Sequence, residues 1–214
     1  MKNDCEIEGI KGFYKMNKDN VEKYAECAAL AYNKYPLFEY IMGKKSSYKM
    51  LKAILAPSFA SVKDSVLGIS NNENADAVAI FAPPKYKGSK FIPFMLNGGI
   101  KLMFIAPPST FLRLMKYENH TMKLKKQYTN HESWYLYNVT VKPECQNNGY
   151  CSELLKPMFK YFDENGQDCY LETHSDLNIP LYEHYGFELL EANNIPRTKV
   201  KHYAMIRRAN QNNK

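Results

Sequence analysis

The stretch from Trp134 to Ser152 constrains the fold of this chain more tightly than any other. Trp134–Val141 is an apolar, β-branched run of strand length. It gives way through Lys142 and Pro143 to a small, polar turn, Gln146-Asn147-Asn148-Gly149-Tyr150-Cys151, and a helical pattern opens at about Gly149. A strand that turns into a helix in this way leaves backbone N–H groups unpaired at the helix N-terminus. With the positive end of the helix dipole, those groups bind phosphate. Gly149 lets a ligand approach the backbone closely because it has no Cβ. Taken alone, the same turn is also an ordinary strand-to-helix connection, so its meaning depends on its neighbours.

Those neighbours can be read in order. Gly12–Met16 has the pattern of a short strand. Asn17 then caps a helix whose apolar face includes Val21, Tyr24, Ala25, Ala28, Leu30 and Ala31. Pro36 ends or redirects it, Leu37–Met42 forms a second short helix, and Tyr48–Phe59 a third, with Pro57 disturbing its last turn. Val66–Ile69 and Ala77–Ala82 read as two strands joined by the polar turn Asn71–Asn74. Residues 88–130 read as helical or irregular, with little sharp chemistry. After strand Trp134–Val141 comes helix Gly149–Asn165, kinked by Pro157 and ended by Gly166 in a left-handed cap. Strand Cys169–Thr173, a short helix from Pro180 to Tyr185, and an antiparallel pair, Phe187–Glu191 with Lys201–Arg207, complete the chain. The order predicts an α/β fold (α+β mixed): a mostly antiparallel mixed sheet of about six or seven strands with helices on both faces.

Composition narrows the class. The 214 residues fit one domain, with a loose tail at 210–214. The net charge of +7 favours polyanionic partners. The lysines are scattered, however, and no nucleic-acid signature accompanies them, so no nucleic-acid partner is expected. Cysteines 5, 27, 145, 151 and 169 form no Cys-x-x-Cys pair, and the five histidines are far apart in sequence. Neither a disulfide framework nor a metal site is signalled, and reduced thiols point to the cytoplasm. Lys2–Lys11 is charged and polar, without a signal-peptide core. The greasiest stretch, Phe91–Met115, is interrupted by prolines, glycines and Lys101, so it reads as broken helices near a surface or pocket. No membrane partner is expected from it.

From Val141 to Gly149, the residues Val-Lys-Pro-Glu-Cys-Gln-Asn-Asn-Gly resemble motif A of the GNAT superfamily of acyl-CoA N-acyltransferases, which reads V-x-P-x-x-[QR]-x-x-G-x-[GA]. Leu171-Glu172-Thr173, followed by Asn178-x-Pro180-x-Tyr182-Glu183-x-x-Gly186-Phe187, is similar to the puromycin N-acetyltransferase-like branch, as is Ala31-x-x-x-Tyr35-Pro36 more weakly. Residues 134–191 match well; the first 130 match mainly in element order. One position departs from the motif: Cys151 stands where Gly or Ala is usual, bringing a sulfur closer to an approaching pyrophosphate.

The resemblance implies acetyl-CoA as co-substrate and a sheet splayed between its fourth and fifth strands. Residues 1–130 would then be the acceptor side and 131–209 the acyl-CoA side. The amides of Gln146, Asn147, Asn148, Gly149, Tyr150, Cys151 and Ser152 would cradle the pyrophosphate. Backbone groups around Val139, Thr140 and Val141 would pair with pantetheine in the gap, as an added strand does. Tyr182, four residues before Gly186, takes the position of the family's general acid. A phenol suits that task because a leaving thiolate needs a proton. Candidate bases are Glu172, whose facing depends on the alternation of its strand, and Tyr35 beside the acceptor edge. Asn178 hydrogen-bonds the cofactor or orders its loop. His174 and His184 belong to the residue type suited to acid–base work near neutrality, but each reads as a surface residue. Cys145 and Cys151 sit in a helix N-terminal field that lowers a thiol pKa, yet a nucleophile there lies a pantetheine's length from the acyl carbon.

These readings favour acetylation of a small-molecule amine by direct attack in a ternary complex. Two alternatives stay open: acetylation of a protein or peptide amine, which needs an open groove, and a CoA-binding regulator without turnover. Residues 85–130 look more like a lid than a groove wall. The acceptor's identity and the oligomeric state are not written in the sequence.

Overall fold

The computed structural model describes residues 12–43, 47–130 and 132–210. The polar stretch Lys2–Lys11 with Cys5, the imidazole of His131, and tail residues 211–214 lie outside them. Among the described residues the strands are β1 (Tyr14–Lys15), β2 (Leu67–Ser70), β3 (Ala77–Ala82), β4 (Trp134–Val141), β5 (Cys169–Thr173), β6 (Glu188–Asn194) and β7 (Lys201–Arg207). They form one sheet in the order β1-β2-β3-β4-β5-β7-β6. Every neighbouring pair is antiparallel except β4–β5. The mixed, mostly antiparallel sheet expected from the element order is therefore present.

Helices cover both faces. On one side lie α1 (Val21–Ala31), α2 (Pro36–Met42), α3 (Tyr48–Val62), α4 (Phe91–Leu96), α5 (Leu102–Ile105) and α6 (Pro108–Tyr128); on the other lie α7 (Tyr150–Glu164) and α8 (Ile179–His184). The side chains of β3 explain the two-sided cover. All six residues, Ala-Val-Ala-Ile-Phe-Ala, are buried, as a strand flanked on both faces requires. Val78 and Ile80 pack toward α1 and α3, whereas Ala79 and Phe81 pack toward α7. There Phe162 stacks on Trp134 (centroids 5.1 Å apart) and meets Phe81 edge-on at 5.8 Å.

Several local expectations needed adjustment. Asn17 does not cap α1; its Oδ1 accepts from the N–H groups of Asp19 and Asn20, closing the turn before the helix. Helix α3 runs through Pro57 to Val62, and past the proline the Ser58 and Ser61 hydroxyls donate back to the carbonyls of Ile54 and Ser58. Gly149 is the residue before α7, not its first turn, and Gly166 at φ 62° ends that helix as expected. Asn210 is not loose: its N–H donates to Asp163 Oδ1 at 2.9 Å.

Two features shape the centre of the sheet. β4 and β5 pair only at Trp134–Cys169 and Tyr135–Tyr170, and diverge beyond. The pairing of β3 with β4 steps from Ile80–Asn138 to Phe81–Leu136, leaving Tyr137 as the extra residue of a bulge. Tyr135 and Tyr137 therefore pack toward the α1–α3 side, while Leu136, Val139 and Val141 pack toward α7.

Candidate active site

The splay and the turn after β4 create adjoining binding features. Past Tyr135, the β4 edge that faces β5 has no strand partner, so Val139, Thr140 and Val141 lie along an open edge. Lys142 anchors the end of that strand: its N–H donates to Asp76 O at 2.9 Å and its Nζ to Asp76 Oδ1 at 2.7 Å. The turn then passes Asn147 at φ 65° and Gly149 at φ 78°, both in the left-handed region. None of the main-chain N–H groups of residues 147–152 has a hydrogen-bond partner among the described residues. A Cβ built on Gly149 would meet nothing within 4 Å, so this side of the helix end is clear. The side chains of Gln146 and Asn148 fold back onto the carbonyls of Val141 (3.4 Å) and Cys145 (3.1 Å) and hold the loop in shape. Unpaired amides, a clear approach and the N-terminus of a 15-residue helix fit a pyrophosphate.

Cys151 departs from the expectation set by its sequence position. Its side chain packs with the apolar cluster under α7 and lies beside Tyr185, whose hydroxyl donates to Ser152 Oγ at 3.0 Å. Burial pushes its thiol pKa up, overriding the helix field, and the Cys145 thiol is also raised. Neither is a poised thiolate. The four described cysteines are all free.

The α1–α6 side of the sheet contains a cavity of about 120 Å³ between β4, β5, α2, α3 and α6. Tyrosines 32, 35, 86, 117, 135 and 137 line it, together with Glu118 and Glu172. The alternation of β5 resolves the facing of Glu172: Cys169 and Leu171 pack toward α7, and Glu172 turns to the cavity with its side chain 2% exposed. Its carboxylate accepts from Tyr170 Oη at 2.9 Å and Tyr135 Oη at 3.2 Å. Burial raises its pKa to about 7; the two phenols oppose the rise. Glu118, from α6, is raised by burial as well. The cavity thus presents two carboxyls within an aromatic wall.

Tyr35 precedes α2, and its hydroxyl is fully engaged. It accepts from the His174 N–H at 2.8 Å and lies 3.0 Å from Thr173 Oγ1, which also accepts from Asn178 Nδ2 at 2.8 Å. The three residues clasp the end of β5 to the loop before α8. Burial raises the Tyr35 phenol pKa, which makes it a poor base. Tyr182, on α8, is buried with its ring 5.7 Å from Phe187. Burial first, then the neighbouring phenols of Tyr35 and Tyr32, raise its pKa well above the ordinary phenol value.

Residues 88–130 hold more chemistry than their sequence signalled. They supply Tyr117 and Glu118, which line the cavity, and His120, which packs against His202; all three come from the 21-residue α6. His174 is buried rather than on the surface. Its Nε2 lies 3.1 Å from His202 Nδ1, and His120 stacks edge-on against His202 at 4.9 Å. His184 is exposed, as expected. Burial lowers His202 to about 4 and His174 well below its usual value, so both are neutral at pH 7. The 3.9 Å approach of His202 Nε2 to Glu172 is therefore not an ion pair. No group of three or more His, Cys, Asp or Glu side chains among the described residues is arranged to hold a metal ion.

Comparison with known proteins agrees with this geometry. Residues 116–187 match the Acetyltransferase (GNAT) family model. A 55-residue stretch is 44% identical to an uncharacterised N-acetyltransferase of Schizosaccharomyces pombe, covering 26% of this chain and 22% of that protein; the chain thus matches about a fifth of the length of its curated relative. Among solved structures, a histone acetyltransferase HPA2-related acetyltransferase from Corynebacterium glutamicum is similar at 15% identity and a TM-score of 0.63, covering 94% of this chain and 98% of that one. The arylalkylamine N-acetyltransferase 2 of Aedes aegypti is similar at 15% identity and a TM-score of 0.60, covering 92% and 98%. The chain shares the fold of these acetyltransferase structures, and the segment matched by the family model runs from within α6 through the splayed strands and the amide-lined turn.

Proposed function

We propose that this GNAT-superfamily chain transfers an acetyl group from acetyl-CoA to the amine of a small-molecule acceptor, by direct attack within a ternary complex. The observation that carries this reading is Glu172, a buried carboxyl at the wall of an aromatic cavity, held near neutrality beside the gap between β4 and β5. Acetyl-CoA supplies an activated thioester. The turn 146–152 and the open β4 edge at Val139–Val141 would hold its pyrophosphate and pantetheine, with Asn178 ordering the adjoining loop.

Within that frame each side chain has a task. The Tyr135 and Tyr170 hydroxyls orient the Glu172 carboxylate, which takes a proton from the incoming ammonium and becomes the neutral acid. The aromatic walls and the second carboxyl, Glu118, favour a cationic amine and exclude water. The C–N bond forms as the C–S bond breaks, and Tyr182, kept protonated by its raised pKa, donates to the leaving sulfur. Tyr35 is a positioning residue in this scheme: through Thr173 it fixes the end of β5 and hence Glu172. Four free cysteines fit the reduced, cytoplasmic setting we infer.

Acetyl-CoA titration calorimetry followed by thiol release against a panel of amines and peptides tests the reading. Turnover with small amines and none with peptides is expected, because α6 lies over the cavity. Binding without acceptor-dependent thiol release would instead favour a regulator. In the same assay Tyr182→Phe is expected to lose about 100-fold in kcat with acetyl-CoA affinity retained. Full turnover by that variant would remove Tyr182 from the reaction.

A further inference from the structure

We propose that the face formed by α4, α5 and the start of α6 docks on the surface of an anionic membrane. The proposal is independent of acetyl transfer and rests on a coincidence of apolarity and charge on one face.

Large apolar side chains are unusually open there. Leu96 is 82% exposed and Phe104 84%, and Phe91, Ile92, Met103 and Leu112 are each more than half exposed. A soluble surface carries isolated apolar side chains, but a run of this density marks a contact surface. The structure also explains why they remain outside. Helices α4 and α5 are only six and four residues long, broken at Gly98 and Pro107, and each buries mainly one anchor: Phe94 for α4 and Leu102 for α5. Of their remaining apolar residues Met95 packs partly against the core, whereas Phe91, Ile92, Leu96, Met103 and Phe104 stay exposed.

Charge identifies the occupant. Between Asp76 and Glu118 the sequence has six Lys or Arg residues and no Asp or Glu. Lys85, Lys87, Lys90 and Lys101 are exposed, while Arg113 is turned inward to the Tyr40 carbonyl at 3.0 Å. The carboxylates bordering the face are spoken for: Glu118 lies in the cavity wall, and Glu22, in the groove beside Lys101, is paired with Lys52 at 3.6 Å. Pairing with a second copy about a two-fold axis would set this basic rim against itself. Anionic headgroups complement it, while the aromatic and aliphatic side chains enter the acyl boundary. No helix of the described residues is long and apolar enough to cross a membrane, so the contact is superficial. A groove lined by Phe91, Phe111, Met115 and Glu118 adjoins this face and extends its apolar surface.

Co-sedimentation of the whole chain with vesicles of phosphatidylcholine alone, and of phosphatidylcholine mixed with phosphatidylglycerol, tests the proposal. Partitioning onto the anionic vesicles is expected to be at least about tenfold stronger. The Leu96→Ser/Phe104→Ser double variant should lose about tenfold or more of that binding. Lys87→Gln/Lys90→Gln/Lys101→Gln should erase the preference for anionic lipid. Circular dichroism and acetyl-CoA affinity check that the variants fold; the single Leu96→Gln, at a residue with little packing to lose, replaces the double variant if it does not. Equal binding to both vesicle types, absence of binding, or insensitivity to these substitutions overturns the proposal. So does a wild-type dimer in sedimentation that Leu96→Ser/Phe104→Ser dissociates, which would make the face a contact between copies.

Discussion

Glu172→Gln is expected to lower acceptor-dependent thiol release at neutral pH by about 100- to 10,000-fold, the usual worth of a positioned base. Acetyl-CoA affinity should be unchanged, because the pyrophosphate turn lies on the other side of the sheet gap. The wild-type rate should rise with pH through a midpoint near 7, where burial holds the Glu172 carboxyl, and the variant should lack that limb. A Gln variant that keeps either the turnover or the limb would take Glu172 out of the chemistry.

The same carboxyl links activity to stability. Unfolded, it ionises near 4.5; folded, at about 7. Between those values the native state holds the proton more tightly than the unfolded chain, so stability falls as pH rises through the window and is level above it. Gln has no proton to release. Above pH 7 the variant should therefore be more stable than the wild type, by up to roughly 3 kcal/mol. Urea midpoints measured at two pH values decide this, and the gap should close below about pH 4.5.

Asp163→Ala is expected to destabilise the fold by about 3–5 kcal/mol, the cost of leaving a buried cation without its partner. In a chain of this size that corresponds to a fall of about 6–20 °C in Tm. Asp163, in the last turn of α7, receives both terminal nitrogens of Arg207, from the end of β7, at 2.7 and 2.6 Å. Both side chains are largely buried, at 12% and 15% exposure. Arg207 further donates to the Tyr185 carbonyl at 3.0 Å and lies over the Phe159 ring at 5.0 Å. Burial alone would raise the Asp163 carboxyl, but Arg207 and the Asn210 N–H overcome it and hold it below the ordinary value. The pair's contribution is therefore present above the normal carboxylate range and fades as pH falls through the depressed pKa. Below its lowered Tm the variant should still bind acetyl-CoA, since the break is at the far end of α7. Thermal scans at neutral pH and near pH 3 check both points: the difference between wild type and variant should shrink in acid.

Local chemistry made some parts of this protein legible and not others. The β4–turn–α7 unit was readable because strand periodicity, Pro143, Gly149 and the cap at Gly166 all act over neighbouring residues. The approximate extents of most strands followed for the same reason. The surroundings of the Cys151 sulfur are not legible locally, because Tyr185 and much of the apolar cluster beneath α7 come from distant segments. His174 looked like a surface residue because its burial comes from β7 and α6 rather than from its own loop. Glu118 gave no signal at all: a lone Glu in a lysine-rich helix reads as solvated until the helix is laid over a cavity.

Sequence alone thus determined the order of elements, the anion-binding turn and its family resemblance, since each depends on short-range spacing and backbone geometry. Tertiary structure decided which way Glu172 faces, which buried phenols and neutral imidazoles surround it, and which apolar side chains of 91–115 stay in water. Those outcomes depend on desolvation and on contacts between distant segments. A carboxyl acquires a pKa near 7 only when β4, β5 and α6 together take it out of water.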